Sequence, residues 1–68
     1  MNRIYSSNTL KDLARKKGDD FIPECRRIET AVFNGIHLLE VARDFDVSPP
    51  AIFQAMVYLD TLDSDGEA

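Results

Sequence analysis

Residues 38–56, LLEVARDFDVSPPAIFQAM, decide the predicted fold because they have the pattern of two short helices joined by a tight turn. Two helices that cross closely need a small residue at the crossing, which Ala42 supplies. Asp46 occupies the turn position that needs a left-handed backbone, and aspartate tolerates that conformation better than most residues. Val47 is expected to plug the turn, and Ser48 to cap the second helix. This stretch therefore predicts a helix-turn-helix.

The second helix of this pair begins at Pro49, whose missing N–H would be unpaired in a first turn in any case. An inner apolar face follows at helical spacing: Ile52, Ala55, Met56 and Leu59. We place the helix-turn-helix at residues 38–59. A plain helical hairpin with the same apolar spacing is the alternative.

The residues before this stretch also have helical patterns. A first helix is predicted from about Asn8 to Lys17, with Ser7 or Asn8 as its N-cap and Gly18 after its last turn. A second helix has Pro23 in its first turn and ends near Gly35. Its expected apolar stripe comprises Cys25, Ile28, Val32 and, at its margin, Phe33. The fold class is therefore all-α, with three or four short helices. Residues 1–62 form one helical domain, and residues 63–68 form an acidic flexible tail.

Composition excludes several function classes. The 68 residues can form only one domain, and they contain no run of 18 apolar residues that could cross a membrane. The first residues lack the apolar core of a secretory signal, so we expect a cytoplasmic protein. One cysteine, Cys25, and one histidine, His37, exclude a disulfide framework and a two-histidine metal site. No nucleophile–base pair, phosphate loop or cofactor motif is present, so we expect neither catalysis nor a cofactor.

Three isolated features are weaker candidates for chemistry. Cys25 precedes Arg26 and Arg27, which could lower its pKa, although a cysteine in an apolar stripe is typically a small core residue. His37 stands at an N-cap position, either as a weak cap or as a surface residue. Glu40 and Asp44 are one helical turn apart, and such carboxylates on a helix surface are usually solvated.

The charge is divided between the two halves of the chain. Residues 1–27 hold seven basic and four acidic side chains, for a net charge of +3. Residues 28–68 hold one basic side chain, Arg43, and eight acidic ones, for a net charge of −7. The basic groups of the first half could form a patch that grips a nucleic-acid backbone, or they could be the solvated faces of amphipathic helices. Those groups that could reach nucleic acid are Lys11, Arg15, Lys16, Lys17, Arg26 and Arg27.

One family resemblance joins several of these motifs. Phe21-Ile22-Pro23-Glu24, the helix up to Asn34-Gly35 and then LLEVARDFDVSPPAI resemble the C-terminal part of the ImmA/IrrE-type metallopeptidases. Those proteins carry a hydrophobic-Met-Pro segment, a helix, a glycine and a helical pair of the form LAxxFxVSxxA. The zinc motif of that family is absent here, so the resemblance implies the accessory helical module without its enzyme. In the second helix of the pair, this chain has apolar residues where the family tends to have polar ones: Pro49, Pro50, Phe53, Ala55 and Val57.

The exposed face of that second helix is where a helix-turn-helix protein would read DNA. Its expected members are Ser48, Pro49, Pro50, Phe53, Gln54 and Val57. Gln54 alone could make a bidentate base contact, and Ser48 and Arg43 could add polar contacts. The acidic second half of the chain disfavours DNA binding, because it repels phosphates. The two prolines also disfavour it, because they remove N–H donors from the helix N-terminus.

The same face has the composition of a protein-binding surface, because apolar side chains are edged by acids. Its expected partner-binding residues are Pro49, Pro50, Phe53, Gln54 and Val57, with Phe53 as the anchor. The alternative is that Phe53 belongs to the core. Two functions remain open: a small non-enzymatic regulator that binds another protein, such as a phage- or mobile-element-encoded inhibitor or adaptor, or a DNA-binding transcriptional regulator. The first is preferred, and a homodimer formed through the same face is a further expectation.

Overall fold

The computed structural model describes the backbone of residues 5–67 and the side chains of residues 5–63. Within that part of the chain the architecture is all-α, as predicted. Its helices are α1 (Leu10–Lys17), α2 (Phe21–Phe33), α3 (Leu38–Phe45) and α4 (Pro49–Glu67), with a 3-10 turn at Gly18–Asp20 between α1 and α2. No helix of the described part is long and apolar enough to cross a membrane.

The start of α1 differs from the sequence prediction. Thr9, not Ser7 or Asn8, is the N-cap, and its hydroxyl accepts from the Asp12 N–H at 3.1 Å. Ser7 is instead paired with the turn before α4: its N–H donates to Asp46 O at 3.3 Å, and its carbonyl accepts from the Ser48 N–H at 2.9 Å. This short extended pairing, a parallel bridge between Ser7 and Val47, buries Ser7 completely. The segment before α1 therefore stabilises the turn between α3 and α4, and Ser7 does not cap α1.

The α3–turn–α4 region lies where the sequence places it. His37 caps α3, because its Nδ1 accepts from the Leu39 N–H at 3.1 Å. Asp46 is left-handed, with φ 58° and ψ 44°. Val47 is fully buried, and the Ser48 hydroxyl accepts from the Ala51 N–H at 3.3 Å, as expected of an N-cap. The turn and the start of α4 lie where the sequence predicts them, but α4 continues to Glu67, beyond the predicted end at residue 59. The helix-turn-helix itself stays a prediction.

The core lies where α4 packs against α2, with α1 and α3 closing its sides. Its fully buried members include Leu13, Cys25, Ile28, Val41, Ile52 and Leu59. Two apolar residues lie outside it: Phe33, predicted at the margin of the α2 stripe, is 72% exposed, and Leu39 is 61% exposed. Phe33 is the last residue of α2, just before the Asn34–Gly35 turn, and Leu39 lies in the first turn of α3.

The end of the chain continues α4. The backbone of residues 63–67 is helical, and Ala68 lies outside the described residues. The flexibility predicted for residues 63–68 stays a prediction. The helical backbone of residues 63–67 extends α4 to its acidic C-terminal end.

Candidate functional site

The outer face of α4 is the side turned away from α2. We use this name for five of its exposed side chains, Pro50, Phe53, Gln54, Val57 and Thr61, at whose edge Asp60 is also exposed. Phe53 is 56% exposed and Val57 is 66% exposed, so Phe53 is not a core residue. Pro49, also predicted to bind a partner, is half-buried. The face is therefore largely apolar and open over about three helical turns.

A groove of about 410 Å³ lies between this face and the start of α1. Its lining residues are Leu10, Phe53, Gln54, Val57, Tyr58 and Thr61. The Tyr58 ring lies 5.4 Å from the Phe21 ring, centroid to centroid, so Tyr58 is fixed against the first turn of α2. Tyr58 and Thr61 were missed by sequence reasoning, although they follow Gln54 and Val57 by one helical turn. Leu10 carries no local signal, because it reaches the groove only through the packing of α1.

Gln54 has a role that its sequence position does not reveal. Its Oε1 accepts from the Leu10 N–H at 2.9 Å, although the two residues are 44 positions apart. The first N–H groups of a helix have no partner within the helix, so this bond satisfies one at the start of α1. It also holds α1 against α4 and forms one wall of the groove. Because this bond holds the amide of Gln54 against α1, a bidentate contact with adenine would have to compete with it.

Ser48 is placed differently from its predicted role as a nucleic-acid contact. It is only 7% exposed. Its hydroxyl donates to the Asn8 carbonyl at 2.7 Å while accepting from the Ala51 N–H. The expectation that Ser48 lies on the exposed face is therefore wrong, because the segment before α1 covers it.

Most of the predicted basic patch is engaged in ion pairs within the chain. Arg15 lies 3.6 Å from Asp12, Arg26 lies 3.8 Å from Asp63 and Lys16 lies 3.7 Å from Asp46. Lys16 also donates to the Ser6 hydroxyl at 2.6 Å. Exposed pairs of this kind contribute little to stability. Each of them nevertheless presents a competing carboxylate to any phosphate that approaches.

A tighter cluster forms around Glu24, whose carboxylate is almost fully buried. Arg27 donates to Glu24 at 2.9 Å and to Asp20, and Lys17 lies 3.5 Å from Glu24. The hydrogen bond to Glu24 is the largest cause of the raised pKa of Arg27. The cluster joins the end of α1 to the start of α2, so Lys17 and Arg27 have a structural role. Among the described basic residues, Lys11 and Arg43 make no ion pair with another described residue.

The weaker candidates do not form a reactive site. Cys25 is fully buried, and burial together with the adjacent Glu24 raises its pKa to about 11, despite the opposing influence of Arg26. The thiolate needed for nucleophilic chemistry is therefore disfavoured. The imidazole of His37 is occupied as the cap of α3. The described residues contain no group of three His, Cys, Asp or Glu side chains that could hold a metal ion.

A second groove, of about 490 Å³, runs beside α3. Its lining residues are Tyr5, His37, Leu39, Glu40 and Arg43. Because Arg43 is accompanied there by the Glu40 carboxylate, the groove has no single charge preference. The apolar groove of α4 is chemically the more defined of the two.

Comparison with known proteins adds no relative to this description. No family model matches the chain, and no curated protein and no solved structure is similar enough to it to be a match.

Proposed function

We propose that this chain is a small, non-enzymatic regulatory protein that binds another protein through the outer face of α4, as an inhibitor or an adaptor. The observation that carries the proposal is the exposure of Phe53 and Val57 on a helix whose opposite side is fully buried. Large apolar side chains that lie together at a surface, beside an apolar groove, are typical of a protein-binding site. Gln54 supports the site by holding the groove wall in place.

The distribution of charge favours this function over DNA binding. The helix α4 contains four acidic residues and no basic one. Affinity for duplex DNA comes largely from neutralising phosphates, and an acidic helix repels them. The basic side chains of α1 and α2 are mostly paired with carboxylates, which leaves Lys11 and Arg43 as the cations without an ion pair among the described residues.

The family resemblance is compatible with the same function. A helical module similar to the end of an ImmA/IrrE-type metallopeptidase, without the peptidase, would keep a binding surface and lose the chemistry. We propose a phage or mobile element as the source of such a regulator, and the cytoplasm as its place of action. These points belong to the proposal, whose physical basis is the outer face of α4.

Site-specific photo-crosslinking tests the function in cells of the source organism. A benzophenone amino acid replaces Phe53 in one variant and Phe33 in a second, matched variant. Phe33 is the more exposed of the two phenylalanines and lies on α2, so it controls for non-specific apolar contact. We expect a crosslink to a different protein from position 53 and not from position 33. Equal crosslinking at both positions, or none at position 53, would contradict the proposal.

A DNA titration tests the alternative function. Fluorescence anisotropy with duplex DNA at two salt concentrations is expected to show weak binding or none. Submicromolar, steeply salt-dependent binding would favour a transcriptional regulator instead. In that case Lys11→Ala and Arg43→Ala should each reduce the salt slope by about one unit.

A further inference from the structure

We infer that the occupant of the outer face of α4 is a basic amphipathic helix of the partner protein. This inference rests on the proposed function and names the chemistry of its partner. Its apolar side chains would enter the groove beside Phe53 and Val57. Its lysine and arginine side chains would face the acidic part of α4.

The shape of the site favours a helix as the occupant. The outer face runs from Pro50 to Thr61, which is about 17 Å at the rise of an α-helix. A partner helix presents apolar side chains over such a length from positions i, i+3 or i+4, and i+7. The groove is open along one side of α4 and walled by Leu10 on the other, so it can accept a row of side chains. The wall is held by the Gln54–Leu10 hydrogen bond.

The charge along the rim of the site favours a basic occupant. Asp60 is exposed beside Val57, and it makes no ion pair or hydrogen bond with another described residue. Asp63 is also exposed and shares its carboxylate with Arg26 at 3.8 Å. Asp65 and Glu67 follow on the same helix. Charges of one sign at the edge of an interface select a partner of the opposite sign and speed its approach.

The charges around the groove also predict how the partner helix is oriented on α4. Among the described residues, Lys11 is a cation without an ion pair, and it follows Leu10 of the opposite groove wall. The basic side chains of the partner should therefore lie toward Asp60 and the C-terminal end of α4, and away from Lys11. An arrangement with its basic edge against α1 would place like charges together.

A second copy of the chain is a less suitable occupant. The helix α4 carries no basic side chain, so joining two outer faces would bring two acidic helices together. Like charges across an interface are costly when water is excluded. A homodimer through this face would overturn the inference.

A displayed library of helical peptides provides the test. Leucine is kept at the anchor positions, the remaining positions are randomised, and the library is selected on the full chain. The expected result is enrichment of peptides that are net basic. Enrichment of neutral or acidic peptides would overturn the inference and leave the proposed function standing, whereas the absence of any peptide dependent on Phe53 would overturn both.

The enriched peptide is then titrated against four variants by fluorescence anisotropy. We expect Phe53→Ser and Asp60→Lys each to weaken binding about tenfold or more, as the loss of an anchor and the reversal of a rim charge. The matched controls Phe33→Ser and Glu40→Lys should change it less than about twofold, because neither residue lines the groove. A peptide with its charges reversed should bind to wild-type protein at least about tenfold more weakly. Equal binding of the two peptides, or equal effects of Asp60→Lys and Glu40→Lys, would refute the basic occupant.

Sedimentation equilibrium of the unmodified chain completes the test. A monomer over the whole concentration range is expected. A dimer that dissociates in the Phe53→Ser variant would show that a second copy covers the face, and it would overturn the inference.

Discussion

Two neighbouring residues of α4 have opposite environments. Ile52 is fully buried against the core, whereas Phe53 is 56% exposed, although both are large and apolar. The inner side of the helix is covered by α2, whereas the outer side contacts only the start of α1, through Leu10, and stays largely exposed. The comparison separates apolar residues that stabilise the fold from apolar residues that are available to a partner. Substitutions on the two sides should therefore affect different measurements.

The largest expected difference is between two valine-to-aspartate substitutions. Val47→Asp places a charge at a fully buried position without a partner, and we expect it to unfold the domain. Val57→Asp places the same charge on the outer face and should change the free energy of unfolding by less than about 0.5 kcal/mol. Circular dichroism and urea denaturation measure both. A folded Val47→Asp variant would show that the turn is wrongly assigned, and an unfolded Val57→Asp variant would show that the outer face is not free.

Because of the buried Cys25 thiol, the free energy of unfolding should depend on pH in the alkaline range. The pKa of Cys25 is raised from 9.0 to about 11 in the folded chain, chiefly by burial. Because the pKa is raised in the folded state, the protonated thiol contributes fully to the free energy of unfolding below about pH 9. That contribution is lost as the pH rises toward about 11. The full loss would be at most about 3 kcal/mol.

Urea denaturation at a series of pH values measures this effect, and Cys25→Ala is the matched control. Lysine and tyrosine titrate in the same range, so the informative quantity is the difference between the two proteins. That difference should shrink as the pH rises. A difference independent of pH would mean that the thiol is as accessible to ionisation in the folded chain as in the unfolded chain.

A smaller effect is expected from Gln54, which belongs to the outer face but stabilises the fold. Gln54→Ala removes the acceptor for the Leu10 N–H and should cost about 0.5–1.5 kcal/mol. Gln54→Glu keeps an acceptor oxygen at that position and should cost less. Amide hydrogen exchange at Leu10 reports directly on the bond. Unchanged exchange in Gln54→Ala would show that the bond does not hold α1 in solution.

The smallest expected effect is that of Phe53→Ser on stability. Because the ring is largely exposed, its loss should change the free energy of unfolding by less than about 0.5 kcal/mol. Ile52→Ser, one position earlier, should destabilise the domain strongly since it leaves a cavity and a buried hydroxyl. Urea midpoints of the two variants compare the two sides of α4 directly. Similar midpoints would mean that Phe53 contributes to the core.

Local features of the fold could be predicted from the sequence. The helical pattern of α3, the left-handed Asp46 and the cap at Ser48 all follow from interactions within a few residues. Helix periodicity, capping and turn conformation depend on near neighbours in the chain, so the residue pattern is sufficient to indicate them.

Features that join distant residues could not be predicted in this way. The pairing of Ser7 with Val47 and the hydrogen bond from Leu10 to Gln54 connect positions 40 and 44 residues apart. The burial of Ser48 follows from the same packing, since the segment before α1 crosses over the start of α4. A residue pattern shows which groups can donate or accept, but it does not show which of them meet.

The same distinction between sequence pattern and tertiary packing applies to the candidate site. By itself the sequence determined that α4 is apolar on two sides and acidic toward its end, because spacing and charge are properties of the chain alone. Only the tertiary structure decided which side is covered, because burial depends on where α2 lies. It also decided that Lys16, Lys17 and Arg26 pair with carboxylates of other elements, because those contacts require distant parts of the chain to be brought together.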